Sequence, residues 1–121
     1  MITSKYFSEK EFQNCSPSCS LQNMKQEAMD KFDEAREKAG IPLVINCAYR
    51  SPEWDKKKGR NGNSAHAEGV ALDIKCNTSG TRLKIVRALL GVGCCRIGIG
   101  NGFVHADFSK KLPQNVIFTY Y

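Results

Sequence analysis

A segment of regular alternation near the middle of the chain constrains the fold more than any other feature. From Gly69 to Lys75, apolar side chains at every second position alternate with Ala71 and Asp73. This period of two predicts a β-strand that has one apolar face and one face free to carry other side chains. Such a strand needs neighbouring strands to form a sheet, and helices or a second sheet to cover its apolar face.

Helical patterns occur on both sides of this strand. Apolar residues spaced three, four and seven apart predict a long helix from Leu21 to Ala39, and a second helix is predicted from Thr81 to Leu90. In residues 1–20 we expect only a short helical turn, where Ser8 and Glu11 have the spacing of a capping box. Two helices are enough to cover one face of a small sheet.

Four more short segments are predicted to be strands: residues 43–48, 95–99, 103–107 and 116–120. Asn101-Gly102 is a strong hairpin signal, and we interpret the last three strands as a β-meander. Residues 51–65 contain Pro52 and several glycines and are interpreted as a loop. The expected fold is therefore α+β, with helices packed on one side of a mainly antiparallel sheet, in one domain spanning residues 1–121.

The composition is that of an ordinary globular protein. Of the 121 residues, 41% are hydrophobic and 25% are charged, which argues against disorder, and no apolar run is long enough to span a membrane. Lys and Arg outnumber Asp and Glu by 18 to 12, and the resulting charge of +6 is compatible with any polyanionic partner. The interpretation as a nucleic-acid-binding protein has only this charge and the basic run Lys56–Arg60 to support it. A solvated loop is the simpler interpretation of the run. We therefore expect no specific nucleic acid as a partner.

The six cysteines leave the redox state of the chain open. An even count permits disulfides, but free thiols are equally compatible with the pattern. No pair has the C-x2-C spacing that is typical of structural zinc sites, so the cysteines do not predict one. The six are Cys15, Cys19, Cys47, Cys76, Cys94 and Cys95.

Both histidines of the chain lie where they can meet a carboxylate. His66 leads into the central strand, Asp73 lies on that strand, and His105 lies on another predicted strand. A sheet can bring two imidazoles and one carboxylate together, and this donor set suits Zn²⁺ while leaving a fourth position for water. Because zinc lowers the pKa of such a water and polarises a bound carbonyl, the sequence predicts a metallohydrolase.

Several motifs together resemble those of the LAS-type zinc peptidases. The first is Ser-x-His-x-x-Gly-x-Ala-x-Asp over Ser64–Asp73, and the second is Val-His-x-Asp within Phe103–Asp107. The Tyr-Arg-Ser stretch within Cys47–Glu53 and the segment Gly98–Gly100 match as well, so the resemblance spans residues 20–108. This family comprises D-alanyl-D-alanine carboxypeptidases, D-Ala-D-Ala dipeptidases and phage L-alanoyl-D-glutamate endolysins, and its fold also occurs in the hedgehog signalling domain. The resemblance therefore implies a hedgehog/DD-peptidase-like fold.

The resemblance implies a role for each matching residue. His66, Asp73 and His105 correspond to the three zinc ligands. Arg50 corresponds to the arginine that holds a substrate carboxylate or the developing oxyanion, for which a planar guanidinium is well shaped; the alternative is a structural ion pair. Ser64 corresponds to the serine beside the first ligand, which orients the substrate or its own loop, and a simple turn hydroxyl is the alternative.

The chain departs from the family at the position of the catalytic acid. Many relatives carry Glu or Asp three residues before the last histidine, where this chain has Gly102. Asp107 is the best substitute, because residues two apart on a strand share a face and Asp107 follows His105 at that distance. Asp107 is therefore expected to be the general base, with Glu68 as a weaker candidate. The alternative is that Asp107 holds one of the zinc ligands in place.

The implied function is zinc-dependent hydrolysis of peptide bonds in the stem peptides of bacterial peptidoglycan. The bond is either L-Ala–D-Glu, cut by an endopeptidase, or D-Ala–D-Ala, cut by a carboxypeptidase, and a phage endolysin is the expected context. The N-terminal residues lack the apolar region of a signal peptide, so we expect the protein to be made in the cytoplasm, released through a phage holin and active on the cell wall. We also expect it to be a monomer. The alternative is a zinc-stabilised binding module of the same fold without turnover, which Gly102 favours.

Overall fold

The computed structural model describes all 121 residues, which form five α-helices packed on one five-stranded sheet. The helices are α1 (Glu9–Gln13), α2 (Gln26–Ala39), α3 (Pro52–Lys57), α4 (Ala65–Glu68) and α5 (Ser79–Gly91), with a 3₁₀ turn at Leu21–Asn23. The strands are β1 (Ile45–Cys47), β2 (Ala71–Lys75), β3 (Arg96–Ile99), β4 (Phe103–Asp107) and β5 (Val116–Thr119). Their order across the sheet is β1-β2-β4-β3-β5, and every pairing is antiparallel except that of β3 with β5. The predicted α+β class is confirmed.

One face of the sheet carries the hydrophobic core. Leu72 of β2 and Val104 of β4 are fully buried in one cluster with Phe32 of α2 and Leu89 of α5. Full burial of an apolar side chain of this size contributes roughly 1.5–3 kcal/mol. The two long helices also pack against each other, so together they cover this face. The residues between the core positions of each strand point to the opposite face, which is left free for other side chains.

None of the five α-helices combines the length and the apolar character that crossing a membrane requires.

The predicted helix from Leu21 to Ala39 is interrupted near its start. Met24 and Lys25 have extended backbone between the 3₁₀ turn and α2, because the Lys25 N–H donates a hydrogen bond to the Gly69 carbonyl at 2.9 Å. Gly69 has φ +78°, and a Cβ there would lie 2.5 Å from the carbonyl oxygen of Asn23, so only glycine allows this close approach. Met24 stays buried across the break, which is why the apolar spacing did not reveal it.

The interpretation of residues 51–65 as a loop is wrong at α3. Ser51 caps this helix by accepting a hydrogen bond from the Trp54 N–H at 3.1 Å, and Pro52 occupies the first turn. Proline at that position begins a helix rather than interrupting one, because the N–H that it lacks has no partner within the helix there. Only residues 58–64 are without regular structure before α4.

The last three strands do not form a meander. The hairpin predicted at Asn101-Gly102 is confirmed, because β3 and β4 pair antiparallel on either side of it. However, β4 pairs with β2 along its other edge, so no edge of β4 is free for β5. Both Asp107 at the end of β4 and Val116 at the start of β5 lie opposite Arg96. The chain therefore crosses the end of β3 and continues parallel to it.

Candidate metal centre

The three side chains predicted as metal ligands meet on the open face of the sheet. β2 and β4 pair so that Asp73 lies directly opposite His105, and α4 brings His66 to the same place. Asp73 Oδ1 lies 2.9 Å from His105 Nδ1 and 3.3 Å from His66 Nε2, and the centres of the two imidazole rings are 5.1 Å apart. Both histidines are buried. Two nitrogens thus face one carboxylate oxygen at hydrogen-bond distance.

The outer nitrogen of each imidazole already has a protein acceptor. His66 Nδ1 lies 2.5 Å from the carbonyl oxygen of Ala48, and His105 Nε2 lies 2.7 Å from Asp107 Oδ2. A carbonyl can only accept, so His66 carries its proton on Nδ1, and an ionised Asp107 places the His105 proton on Nε2. In the neutral rings, the lone pairs of His66 Nε2 and His105 Nδ1 then point at the Asp73 carboxylate, and only the protonated rings donate hydrogen bonds to it. Three electron-rich atoms facing one another in this way fit a cation between them, so the donor set suits a divalent metal.

The carboxylate and the second histidine influence each other's ionisation. Burial opposes ionisation of Asp73, but hydrogen bonds from His105 and His66 outweigh burial and hold the pKa of the carboxyl well below its usual range. Burial also lowers the pKa of His105, but its hydrogen bonds to Asp107 and Asp73 outweigh this and raise the pKa above its ordinary value. Asp73 is therefore a carboxylate at neutral pH, which is the form that binds a metal ion.

Cys47 is a potential metal ligand that the sequence reasoning missed. One potential ligand atom from each of Cys47, His66 and Asp73 lies within 4.8 Å of the other two, and Cys47 Sγ is 3.8 Å from His66 Nδ1. Burial raises the pKa of the Cys47 thiol to about 12, so a metal ion that binds Cys47 has to displace the thiol proton. The structure therefore contains a cluster that can hold a metal ion, and the choice of His105 rather than Cys47 as the third ligand stays a prediction.

Asp107 is buried and fully hydrogen-bonded. Oδ1 accepts hydrogen bonds from Arg96 Nε at 2.9 Å and from the Ser109 N–H at 3.0 Å, while Oδ2 faces His105 Nε2. These are the contacts of a carboxylate that orients a ligand, which is the alternative to the predicted general base. Glu68, the weaker candidate for the base, accepts a hydrogen bond from the Ser109 hydroxyl and does not line the cleft described below.

Asp55 connects the remaining predicted residues, and the sequence reasoning missed it. Asp55 is fully buried within α3. Its Oδ1 lies 3.1 Å from Arg50 Nε, within ion-pair distance, although the two groups are not aligned for a hydrogen bond. Its Oδ2 accepts a hydrogen bond from the Ser64 hydroxyl at 2.5 Å. The same hydroxyl caps α4 by accepting from the Ala67 N–H, so Ser64 has the structural role that was its alternative. A substrate role for Ser64 stays a prediction.

An open cleft of about 420 Å³ lies over this cluster. Phe118 and Tyr120, at the end of the chain, form an aromatic wall beside His105, with ring centres 5.8 Å and 6.3 Å from the imidazole. Gly98 makes room for this wall, because a Cβ there would lie 2.6 Å from the Phe118 ring and 2.7 Å from the Tyr120 ring. All six residues predicted to act in the site line the cleft: Arg50, Ser64, His66, Asp73, His105 and Asp107.

Comparison with known proteins identifies the family of the chain. No curated protein matches the chain. The family model of the peptidase M15 proteins matches residues 5–107, which is most of the chain and includes all six of the residues above. The chain therefore belongs to the peptidase M15 family.

Proposed function

We propose that this protein is a zinc metallopeptidase that hydrolyses peptide bonds in the stem peptides of bacterial peptidoglycan. Membership of the peptidase M15 family supports a peptidase. The observation that carries the proposal is the convergence of His66 Nε2 and His105 Nδ1 on Asp73 Oδ1, with the outer imidazole nitrogens already bound to protein acceptors. This arrangement leaves three inward-facing donor atoms for one zinc ion.

Zinc bound between these residues supplies a Lewis acid that polarises a peptide carbonyl and makes a water molecule more acidic. The chain's own residues hold and aim the reactants. His105 is fixed by Asp107, and Asp107 is in turn held by Arg96, which keeps the ring in one orientation. Asp107 is also the predicted general base, which takes the proton from water on a carboxylate oxygen and returns it to the leaving amine.

Arg50 is the residue proposed to bind the substrate's carboxylate or the oxyanion. Its side chain lines the cleft, and Asp55 and the Trp54 ring, 5.8 Å from the guanidinium carbon, hold it in place. A guanidinium can donate two parallel hydrogen bonds to one carboxylate or to an oxyanion and its neighbour. The identity of the carboxylate is not fixed by the residue type, because either a terminal carboxylate or a D-Glu carboxylate fits.

Arg50→Lys is expected to lower hydrolysis roughly 10- to 100-fold, because lysine keeps the charge but loses the planar fork. Zinc content should be unchanged, since Arg50 is not among the inward-facing donors, and the melting temperature should fall by only a few degrees. Arg87→Lys, on the exposed side of α5, is the matched control. Steady-state rates, metal analysis and thermal melting decide the matter: a much lower melting temperature with unchanged turnover would make Arg50 a structural residue.

Between the two candidate bonds, we propose L-Ala–D-Glu and therefore endopeptidase action. The cleft is open and is lined at its edge by exposed side chains such as Arg60 and Tyr120, which suits a cross-linked polymer better than a small closed pocket would. Action at the cell wall after release through a phage holin stays a prediction.

Mass spectrometry of muropeptides after digestion of purified sacculi tests the proposed function. Zinc-loaded wild-type protein is expected to release stem peptides that begin with D-Glu and to leave L-Ala on the amino sugar. Loss of a single D-Ala from pentapeptide stems, with cross-links intact, would instead identify a carboxypeptidase. Asp73→Asn serves as the inactive control for contaminating hydrolases.

A binding module without turnover is the second candidate, and two observations favour it. Gly102 occupies the position of the usual acidic residue, and both oxygens of Asp107 already accept hydrogen bonds. The same digestion separates the two candidates. A zinc-loaded protein that sediments with sacculi but releases no fragment would be such a module.

A further inference from the structure

Three arginines line the cleft, and two of them are neutralised by carboxylates. Arg50 faces Asp55 at 3.1 Å, and Arg96 donates to Asp107 at 2.9 Å and to the Pro113 carbonyl at 2.7 Å. Arg60 is exposed and has no carboxylate within ion-pair distance. It is therefore the one arginine of the cleft that no carboxylate of the protein neutralises.

Two contacts place the Arg60 side chain at the cleft. Its backbone N–H donates to the Asp55 carbonyl at 2.9 Å, so its position depends on the same buried residue that holds Arg50 and Ser64. Its guanidinium carbon lies 5.7 Å from the centre of the Trp54 ring, which gives the side chain an aromatic surface to rest on. A cation supported in this way loses less conformational freedom on binding than a freely moving side chain does.

The rest of the basic run is arranged differently. Lys56, Lys57 and Lys58 are exposed and line no part of the cleft, and Lys58 faces Trp54 at 5.3 Å. Only the last residue of the run, Arg60, is placed to meet a molecule bound at the metal centre.

We propose that Arg60 is a specificity-determining residue that binds a carboxylate of the peptide substrate and makes the enzyme favour stem peptides with a free α-carboxylate over amidated ones. This inference rests on the proposed function. The guanidinium fork donates two parallel hydrogen bonds to the two oxygens of a carboxylate. A carboxamide offers only one acceptor oxygen, and its NH₂ group meets the guanidinium donor to donor. The same peptide in carboxylate and carboxamide form is therefore distinguished at Arg60.

The test compares two synthetic stem peptides that differ only in whether the α-carboxyl of D-Glu is a carboxylate or an amide. Wild-type protein is expected to prefer the carboxylate about three- to tenfold in kcat/KM, since the contact lies at a partly solvated rim. Arg60→Gln should abolish the preference by slowing the carboxylate peptide alone, with zinc content unchanged. Lys57→Gln removes the same charge outside the cleft and should keep the preference. The preference should also weaken as salt is added.

A binding measurement keeps the inference separate from the proposed function. Trp54 is the only tryptophan of the chain and lies beside Arg60, so its fluorescence reports on peptide binding whether or not the protein hydrolyses peptides. The two probes are L-alanyl-D-glutamate with its γ-carboxyl blocked as the methylamide, and the α-carboxamide of the same compound. The acid should bind about three- to tenfold more tightly than the amide, and only in proteins that retain Arg60. If wild-type protein hydrolyses neither peptide, the proposed function fails and this measurement alone decides on Arg60. An unchanged preference in Arg60→Gln, an equal loss in Lys57→Gln, or no preference in wild-type protein would each overturn the inference.

Discussion

Purified wild-type protein is expected to bind one zinc ion, and His66→Ala, Asp73→Ala and His105→Ala are each expected to lose most of it. Each variant removes one of three inward-facing donor atoms. Loss of a residue that merely orients a metal ligand already lowers affinity about 10- to 100-fold, so loss of a ligand should cost more than that. Hydrolysis should fall to background in all three variants. Metal analysis after gel filtration measures the zinc content, and competition with a chromogenic chelator measures the zinc affinity.

Matched variants make the zinc result specific. Asp30→Ala removes an exposed carboxylate from α2 and should leave zinc content unchanged. Cys47→Ser should also retain zinc, because Cys47 Sγ contacts His66 at Nδ1, the nitrogen that faces the Ala48 carbonyl rather than Asp73. Full zinc occupancy in His105→Ala together with zinc loss in Cys47→Ser would replace His105 by Cys47 as the third ligand. Circular dichroism should confirm that every variant is folded.

The pairing at the centre of the site could be predicted from the sequence because it follows from local rules. The two-residue period of β2 and β4 assigns Leu72 and Val104 to the core face and Asp73 and His105 to the other face. Once the two strands are neighbours, only their register has to be determined. A shift of one residue would turn the apolar side chains away from the core, so the possible registers differ by two residues. The structure places Asp73 directly opposite His105.

The surroundings of the site could not be predicted, because they depend on contacts between distant segments. Asp55 lies in a segment that was interpreted as a loop, and only the fold of α3 buries it beside Arg50 and Ser64. Arg96 meets Asp107 because β3 and β4 pair, and nothing in the spacing of charged residues indicates that ion pair. The aromatic wall likewise depends on β5 crossing to the far edge of β3, which a meander would not allow.

Asp107→Asn is expected to keep its fold and to bind zinc when zinc is in excess, but to lose turnover by about a hundredfold or more. Removal of a general base costs about that much. Asparagine keeps the size of the side chain and one acceptor oxygen. That oxygen can accept a hydrogen bond from either His105 or Arg96, but the neutral side chain cannot hold both as the carboxylate does. Turnover at saturating zinc and substrate, with zinc affinity measured separately, distinguishes the base from a residue that only orients His105. An orienting role alone would lower zinc affinity about 10- to 100-fold and leave turnover of the zinc-loaded protein nearly intact.

Arg96→Gln is the matched control, because it removes the charge that faces Asp107 without changing Asp107 or His105. Since breaking a buried ion pair is destabilising, both variants should melt at a lower temperature than wild-type protein. Only Asp107→Asn should lose turnover by a hundredfold, because only that variant lacks the carboxylate that accepts the proton. Equal losses of turnover in the two variants would mean that hydrolysis depends on the ion pair between Arg96 and Asp107 rather than on Asp107 as a base. Nearly wild-type turnover in Asp107→Asn would move the role of base to another carboxylate, and Glu68, held by Ser109 outside the cleft, would have to change its position to take that role.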